Sequence, residues 1–370
     1  MSALRRNILL NPGPATTSQT VKDAQVVADI CPRETEFGDL LQGIRRDLSR
    51  VVHGDSTHTT VLFGGSGTAA MEAAMSSLPA PDGKILIIEN GSYGARFRQI
   101  AEVYDIDVVP LQLAHGDVPD PARVKELLAA NGDVKMVFVV HHETSTGVLN
   151  PIQELARVAR EHGARIVVDA MSSYAGLPID VNAMGIDAII ASSNKCIQGM
   201  AGLSWVILAN DLLAMGNPKR RSYYLDVFAQ HATFEKTGQM QFTPPVQTCY
   251  ALRQAIDEYF AETEAGRFQR YAGNMAVLRA GLVKIGFRLY KPDMPQSDIL
   301  LTVYDPTDTA YSFDALHDAL YADGFTIYPG KVGDAGTFRL AVLGDLYEDD
   351  IRAFLSALEN FANAARINEF

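Results

Sequence analysis

Short apolar runs alternate along the chain with longer stretches in which apolar residues recur at helical spacing. The predicted strand Arg165–Val168 is one such run, and it ends on a single carboxylate, Asp169. An apolar run that ends on a polar residue is typical of a buried parallel strand. The alternation therefore predicts an α/β fold with a large, doubly wound, mostly parallel sheet. Strands are predicted at Thr59–Phe63, Lys84–Glu89, Asp105–Leu111, Val134–His141, Arg165–Val168, Asp187–Ala191 and Ser204–Leu208, and helices at Leu40–Val52, Pro121–Ala130 and Pro151–His162.

The rest of the chain predicts a smaller C-terminal α+β domain. With 370 residues the chain is long enough for two cores. We expect an extended N-terminal arm at 1–20, a large domain at 21–250 and a small domain at 251–370. The region 220–247 shows no pattern of regular structure. The small domain is predicted to hold helices at Arg267–Ile285, Ser312–Gly324 and Glu348–Ala364, and strands at Phe287–Tyr290, Ile299–Val303 and Thr337–Leu340.

Composition and charge exclude several classes of function. A net charge of −12 and a pI near 5.1 argue against nucleic acid or an anionic membrane as a partner. The N-terminal residues show neither a signal-peptide core nor a cleavage site, and apolar windows of transmembrane length are missing, so we expect a cytoplasmic protein. Three widely spaced cysteines, Cys31, Cys196 and Cys249, favour reduced thiols over a disulfide framework.

Asp169 and Lys195 form the most informative pair. Each follows a predicted strand, and neighbouring parallel strands can present their carboxyl ends to one crevice. Such a pair suits pyridoxal phosphate, because a lysine forms a Schiff base with the cofactor aldehyde while an aspartate keeps the pyridine nitrogen protonated. Taken singly, either residue would be an ordinary surface charge. We also assign Asn194, which precedes Lys195, to the cofactor site.

A glycine-rich turn precedes a predicted helix in GGSGTAAMEAAMSSL. Free N–H groups and the positive helix end make such a turn an anion site, so we assign Ser66, Gly67 and Thr68 to a cofactor phosphate. A nucleotide phosphate would also fit the turn, but the sequence lacks the GxGxxG pattern and the lysine of a P-loop. Tyr93, just past another strand end, could stack on a flat ring. Arg96 remains unassigned.

Consecutive histidines, His141 and His142, invite a zinc interpretation. Adjacent residues on a strand point to opposite faces, so these two imidazoles are poorly placed to share one ion. We therefore expect no metal.

Together, the segments NPGPATTS, GGSGTAAMEA, VVDAMSS and SSNK resemble the class V aminotransferases of fold type I, over about residues 7 to 346. The resemblance implies pyridoxal 5′-phosphate as cofactor, with Tyr93 stacking on its ring and Thr144 hydrogen-bonding to it. It implies that Thr243 reaches the phosphate of a neighbouring subunit, hence a homodimer with shared active sites. It also implies that Arg339 binds the acid group of the substrate and that Arg33 lies near the mouth of the site.

Within this group, CPRETEFG, KTGQMQFTPPVQT and YPGKV resemble the branch that acts on phosphonates. That resemblance implies transfer of the amino group of 2-aminoethylphosphonate to pyruvate. Val342 departs from the pattern, because an asparagine is usual there, while relatives that use alanine and glyoxylate are apolar. Four alternatives stay open: an alanine or serine transaminase with glyoxylate or pyruvate as acceptor, a transaminase for a related aminophosphonate, a pyridoxal-phosphate lyase or desulfurase, and a nucleotide-binding protein without covalent chemistry.

Overall fold

The computed structural model describes residues 6–216, 219–332, 335–367 and 369–370. The strands are β1 (Ile8–Leu9), β2 (His58–Gly64), β3 (Lys84–Glu89), β4 (Val108–Gln112), β5 (Val134–Val140), β6 (His142–Glu143), β7 (Val148–Leu149), β8 (Arg165–Asp169), β9 (Ala188–Ser192), β10 (Leu203–Ala209), β11 (Leu300–Tyr304), β12 (Phe325–Thr326), β13 (Tyr328–Val332) and β14 (Ala335–Ala341). The helices are α1 (Gln19–Asp23), α2 (Thr35–Arg50), α3 (Gly67–Ser77), α4 (Ser92–Val103), α5 (Pro121–Ala130), α6 (Ile152–Glu161), α7 (Val181–Met184), α8 (Asn210–Ala214), α9 (Val227–Thr237), α10 (Val246–Glu262), α11 (Glu264–Ile285), α12 (Phe313–Ala322) and α13 (Glu348–Ala364).

The large sheet has the order β2-β10-β9-β8-β5-β3-β4. Its strands pair in parallel from β4 to β9, while β10 pairs antiparallel with both β9 and β2. Successive side chains of a strand point to opposite faces, so Ile166 and Val168 of β8 enter one core and Val167 enters the other. Both faces are covered, as the continuous apolar runs require. The predicted fold class is confirmed.

A smaller antiparallel sheet, in the order β11-β14-β13, forms the centre of the C-terminal part. Its buried side chains pack with those of α11, α12 and α13 into a separate core. The predicted boundary near residue 250 falls inside α10, whose Leu252 and Ile256 pack with the large sheet's core. The domain bounds stay a prediction.

The N-terminal arm is tied to the small domain at two places. β1 pairs in parallel with β12, and Thr16 forms a bridge with Gly344. Between these points the arm crosses the large domain, where the Ala15 N–H donates to the Asn194 carbonyl at 2.9 Å. The arm therefore spans both parts of the molecule.

The predictions for two segments were wrong. Region 220–247 contains α9, which begins where Asp226 accepts hydrogen bonds from the Phe228 and Ala229 N–H groups and ends at Gly238, whose φ of 72° suits a helix C-cap. The segment 287–290 is not a strand, since it makes only an isolated bridge between Leu289 and Val303. Among the described residues, no helix has the length and apolar character needed to cross a bilayer.

Candidate active site

The carboxyl ends of β8 and β9 lie side by side and deliver Asp169 and Lys195 to one cavity of about 420 Å³. The parallel pairing of these strands, in which Asp169 lies beside Ile190, explains why residues far apart in sequence meet. Eight of the predicted residues line the cavity: Ser66, Gly67, Thr68, Tyr93, Thr144, Asp169, Asn194 and Lys195. The structure thus brings together most of the site predicted from sequence.

Asp169 is only 2% exposed. Burial raises the pKa of its carboxyl to about 7. The Met171 N–H, which donates to Oδ1 at 2.8 Å, and the positive charges of Arg96 and Lys195 lower the pKa, but by less than burial raises it. A cationic group placed beside this buried carboxyl would favour its ionised form, so the site is suited to a cationic partner.

Lys195 lines the cavity, and its Nζ donates a hydrogen bond to the Pro12 carbonyl of the arm. Desolvation lowers the pKa of its amine to about 8, although Cys196 and Asp169 act in the opposite direction. Gly13 leaves the room that this side chain needs, since a Cβ there would lie 2.7 Å from Lys195 Cδ. An amine with this pKa is partly neutral near pH 8 and can act as a nucleophile or base.

The N-terminus of α3 forms another wall. Ser66 is its N-cap residue but makes no side-chain cap hydrogen bond, and the first turn holds no acidic residue. Gly67 packs against Met171, because a Cβ on Gly67 would lie 2.6 Å from Met171 Cε. The hydroxyl of Ser66 and the first N–H groups of the helix are therefore available to an anion.

The N-terminus of α4 carries Tyr93 and Arg96 to the cavity. A buried carboxylate, Glu143, fixes this end of the helix by accepting hydrogen bonds from the Tyr93 and Gly94 N–H groups at 3.1 and 3.3 Å. Ser145 donates to the same carboxylate through its hydroxyl at 2.6 Å. The backbone position of Tyr93 at this helix end is thus held by a residue of β6.

Arg339 of β14 lies close to the cavity without lining it. Its Nη1 donates to the Thr144 carbonyl at 3.4 Å and its Nη2 to the Pro329 carbonyl at 3.2 Å. Its Nε is buried without a partner, and burial lowers the pKa of the guanidinium. Within the described residues, no carboxylate pairs with Arg339. Arg339 thus carries a charge without a counter-ion, and the neutral carbonyls that hold its Nη groups leave that charge uncompensated.

The rings of His141 and His142 both hydrogen-bond to serine hydroxyl groups. His141 Nδ1 lies 2.9 Å from Ser173 Oγ, and His142 lies between Ser172 Oγ at 3.0 Å and Ser297 Oγ at 2.8 Å. Burial lowers the pKa of His142 to about 3, so its ring is neutral. The described part of the chain offers no cluster of three or more metal-ligating side chains. The expected absence of metal stays a prediction.

Comparison with known proteins decides the family. The sequence profile of the family described as "Aminotransferase class-V" matches residues 17–305. The chain belongs to the class-V aminotransferases. This membership decides against the nucleotide-binding alternative.

Curated relatives and solved structures agree with it. The chain is 39% identical over 356 residues to a 2-aminoethylphosphonate–pyruvate transaminase of Vibrio cholerae serotype O1, covering 95% of this chain and 97% of the relative. It is 39% identical to the enzyme of the same name from Klebsiella pneumoniae, covering 96% and 98%. Alanine–glyoxylate aminotransferase from Nostoc sp. has a TM-score of 0.90 at 26% identity, covering 97% and 96%. Ureidoglycine–glyoxylate aminotransferase from Bacillus subtilis, at 23% identity, shares the fold, with a TM-score of 0.91 and coverage of 100% and 96%.

Two predicted residues of this class-V aminotransferase lie apart from its cavity. Arg33 is exposed and donates to the Met240 and Gln241 carbonyls at 2.6 and 3.2 Å. Thr243, also exposed, follows the segment that Arg33 holds. A single chain therefore does not bring either side chain to its own cavity, and both assignments stay predictions.

Sequence reasoning also missed parts of this class-V aminotransferase site. Glu143 supports Tyr93, Pro12 accepts from Lys195, and Arg96 contacts Thr68. Pro12 lies in the NPGPATTS segment that carries the family resemblance, which was a usable signal. Glu143 gave none, because its partners lie some fifty residues away in sequence.

Proposed function

We propose that the chain is a pyridoxal 5′-phosphate-dependent transaminase that transfers the amino group of 2-aminoethylphosphonate to pyruvate, giving phosphonoacetaldehyde and L-alanine. The observation that carries the chemistry is the shared cavity of Asp169 and Lys195 beside the uncapped N-terminus of α3. The substrates are those named by relatives at 39% identity over nearly the whole chain.

The cavity suits this cofactor in charge and shape. The α3 end would take the phosphate through Ser66, Gly67 and Thr68, and Tyr93 would lie against the ring. Thr144 and Asn194 line the same space and would hydrogen-bond to polar atoms of the ring. When bound, the cofactor supplies an aldehyde carbon open to amine attack and a ring that accepts electrons.

Asp169 and Lys195 divide the proton chemistry between them. Burial raises the pKa of Asp169 to about 7. Its carboxylate would form an ion pair with a protonated ring nitrogen and so keep the proton on that nitrogen. Lys195, lowered to about 8, has an amine that can give or take a proton near physiological pH. It would move the proton between two carbon atoms of the reacting system. In the cofactor-free protein, the Pro12 carbonyl is the acceptor for this amine.

Arg339 would bind the acid group of each substrate in turn. Among the described residues its charge has no carboxylate partner, and its Nη groups donate only to backbone carbonyls, which a charged oxyanion would replace as a stronger acceptor for the planar fork. Phosphonate and carboxylate both present oxygens at a spacing that such a fork matches. One arginine can therefore serve the amine donor in one half-reaction and the keto acid in the other.

Val342 does not face the substrate. Its side chain is fully buried among the apolar residues of the small domain, and its N–H donates to the Ile299 carbonyl at 2.8 Å. The departure at this position is a packing difference within a core, so it gives no reason to prefer the alanine–glyoxylate alternative.

We also propose a homodimer with shared active sites, in the cytoplasm. Tyr223 is 71% exposed and lies with Tyr224 and Phe242 on one surface, where the rings of Tyr224 and Phe242 stack at 5.1 Å. The Tyr224 hydroxyl donates to the Gly64 carbonyl at 3.2 Å, beside the glycine-rich turn. Exposed aromatic patches of this kind mark interaction sites. A partner chain on this surface would bring its own Thr243 and Arg33 near the cavity.

A donor panel tests the proposed function. The loaded enzyme, without any keto acid, should lose its cofactor absorbance at least about tenfold faster with 2-aminoethylphosphonate, the proposed donor, than with alanine, which reacts by reversal of the pyruvate half-reaction, or with serine, which is neither substrate nor product. Stopped-flow absorbance gives the three rates. Faster loss with alanine or serine would instead establish the alanine–glyoxylate alternative, and loss with none would reject the transaminase assignment.

Replacing Arg339 by lysine should weaken both substrates. The variant exchanges a fork for a point charge, so kcat/KM for 2-aminoethylphosphonate and for pyruvate should each fall by about 10- to 100-fold. Steady-state kinetics with either substrate varied give the two values. Arg288→Lys is the matched control, because Arg288 and Arg339 both lie over a small-domain aromatic ring, at 5.3 Å from the Tyr304 centroid and 5.2 Å from the Tyr328 centroid, but Arg288 is not among the described residues that line the cavity or bond to Thr144. A fall for one substrate only would show that the two acids bind different groups.

A further inference from the structure

The glycine-rich turn lacks a cation of its own. Residues 64–78 contain neither lysine nor arginine, and the chain as a whole carries a net charge of −12. A phosphate group bound at a helix N-terminus receives hydrogen bonds and about half a positive charge from the helix dipole. A phosphate dianion held in a cavity needs more compensation than that. The compensating charge has to come from another element.

Arg96 of α4 lies where that charge is needed. Its Nη1 donates to Thr68 Oγ1 at 3.3 Å, and it lines the cavity with Ser66 and Gly67. Its guanidinium carbon lies 4.8 Å from the centroid of the Tyr93 ring, a contact that restricts its position. The side chain thus connects the turn assigned to the phosphate with the ring assigned to stacking.

The pairing of Arg96 differs from that of its neighbour on the same helix. Arg98 bonds to two carboxylates, Glu89 at 3.1 Å and Glu102 at 2.5 Å. Across residues 6–216, 219–332, 335–367 and 369–370, no carboxylate forms an ion pair with Arg96. A partly buried guanidinium without a counter-ion, directed into a cavity of an acidic protein, is suited to an anionic ligand.

We propose that Arg96 is the charged ligand of the cofactor's phosphate group. This assignment rests on the proposed function and adds a residue to it. The two arginines then have separate tasks, because Arg96 contacts the α3 turn whereas Arg339 contacts the Thr144 and Pro329 carbonyls. With Arg96 bound to phosphate, the phosphonate of the substrate is directed to Arg339. The affinity of the protein for pyridoxal phosphate over pyridoxal depends on Arg96.

Titration of the cofactor-free protein with two aldehydes tests this role. Pyridoxal phosphate and pyridoxal differ only in the phosphate, and both can be followed by absorbance. Arg96→Gln should raise the Kd of pyridoxal phosphate by about 10- to 100-fold, the effect expected for one charge-assisted contact. The Kd of pyridoxal should stay within about twofold. Arg96→Lys, which keeps the charge, should lie between wild type and Arg96→Gln.

Arg98→Gln is the matched control, since it removes the same charge from the same helix, and it should leave both affinities within about twofold. Equal weakening of both aldehydes by Arg96→Gln would mean that Arg96 supports the ring or the fold, and would overturn the inference. An unchanged Kd of pyridoxal phosphate with a raised KM for 2-aminoethylphosphonate would also overturn it, by assigning Arg96 to the substrate. A wild-type protein that binds neither aldehyde would overturn the proposed function as well, and this is seen before any variant is made.

Discussion

Lys195→Ala should reduce transamination by at least about 10⁴-fold, because the variant removes both the amine that holds the cofactor and the group that moves the proton. The yellow absorbance of the purified protein should also disappear. Coupled assay of alanine formation gives the first result and a spectrum of the protein gives the second. No other amine among the cavity-lining residues can take its place.

The loss should be specific to this lysine. Lys125→Ala removes an exposed amine from α5 and should leave turnover and colour unchanged. Circular dichroism should show the same fold in both variants, since Lys195 has no carboxylate partner among the described ion pairs. Turnover of the Lys195 variant near that of wild type would reject the assignment of the site.

Asp169→Asn should have opposite effects on activity and on stability. The amide keeps an acceptor for the Met171 N–H but carries no charge, so it cannot hold a cationic ring, and turnover should fall by about 10³-fold. In the cofactor-free protein, the wild-type carboxyl has a pKa of about 7, whereas the ordinary value for an aspartate is 3.8. The folded state therefore holds this proton more tightly than the unfolded state does.

The sign of the stability change follows from that difference. The free energy of unfolding of the wild type falls as the pH rises from about 4 to about 7, because the unfolded state loses the Asp169 proton first and the folded state must then bury a charged carboxylate. The asparagine variant avoids this cost and should be more stable than the cofactor-free wild type at pH 8, by up to about 4 kcal/mol. Denaturant unfolding at pH 5 and pH 8 measures the difference, which should be larger at pH 8. A gain that does not depend on pH would mean that the carboxyl is already ionised at pH 5.

Structural features that depend on one short segment of the chain could be predicted from sequence. Asp169, Lys195 and the turn at Ser66 are each adjacent to a strand end or helix start, and the sheet then brings them together by its ordinary geometry. The strand Lys84–Glu89 and the helix Glu348–Ala364 were predicted to the residue, since the strand is an apolar run bounded by two charged residues and the helix opens with three acidic residues.

Contacts between distant segments could not be predicted. Glu143 holds the start of α4 because β6 packs beside it in the folded chain, and no local sequence pattern indicates that packing. Arg96 is part of a helix with no unusual pattern, and its relation to Thr68 depends on how α3 and α4 pack. α9 was missed although Asp226 and Gly238 are ordinary start and stop residues, because the surrounding residues lack a strong apolar period.

The N-terminal arm connects the small domain to Lys195 in the large one. It is hydrogen-bonded to the small domain through Leu10 and Thr16, and between them Pro12 accepts the bond from Lys195. A rotation of the small domain would pull the arm with it and shift the acceptor of the amine. The position of the reactive amine would therefore respond to the small domain through the arm, although Lys195 itself follows β9 of the large sheet.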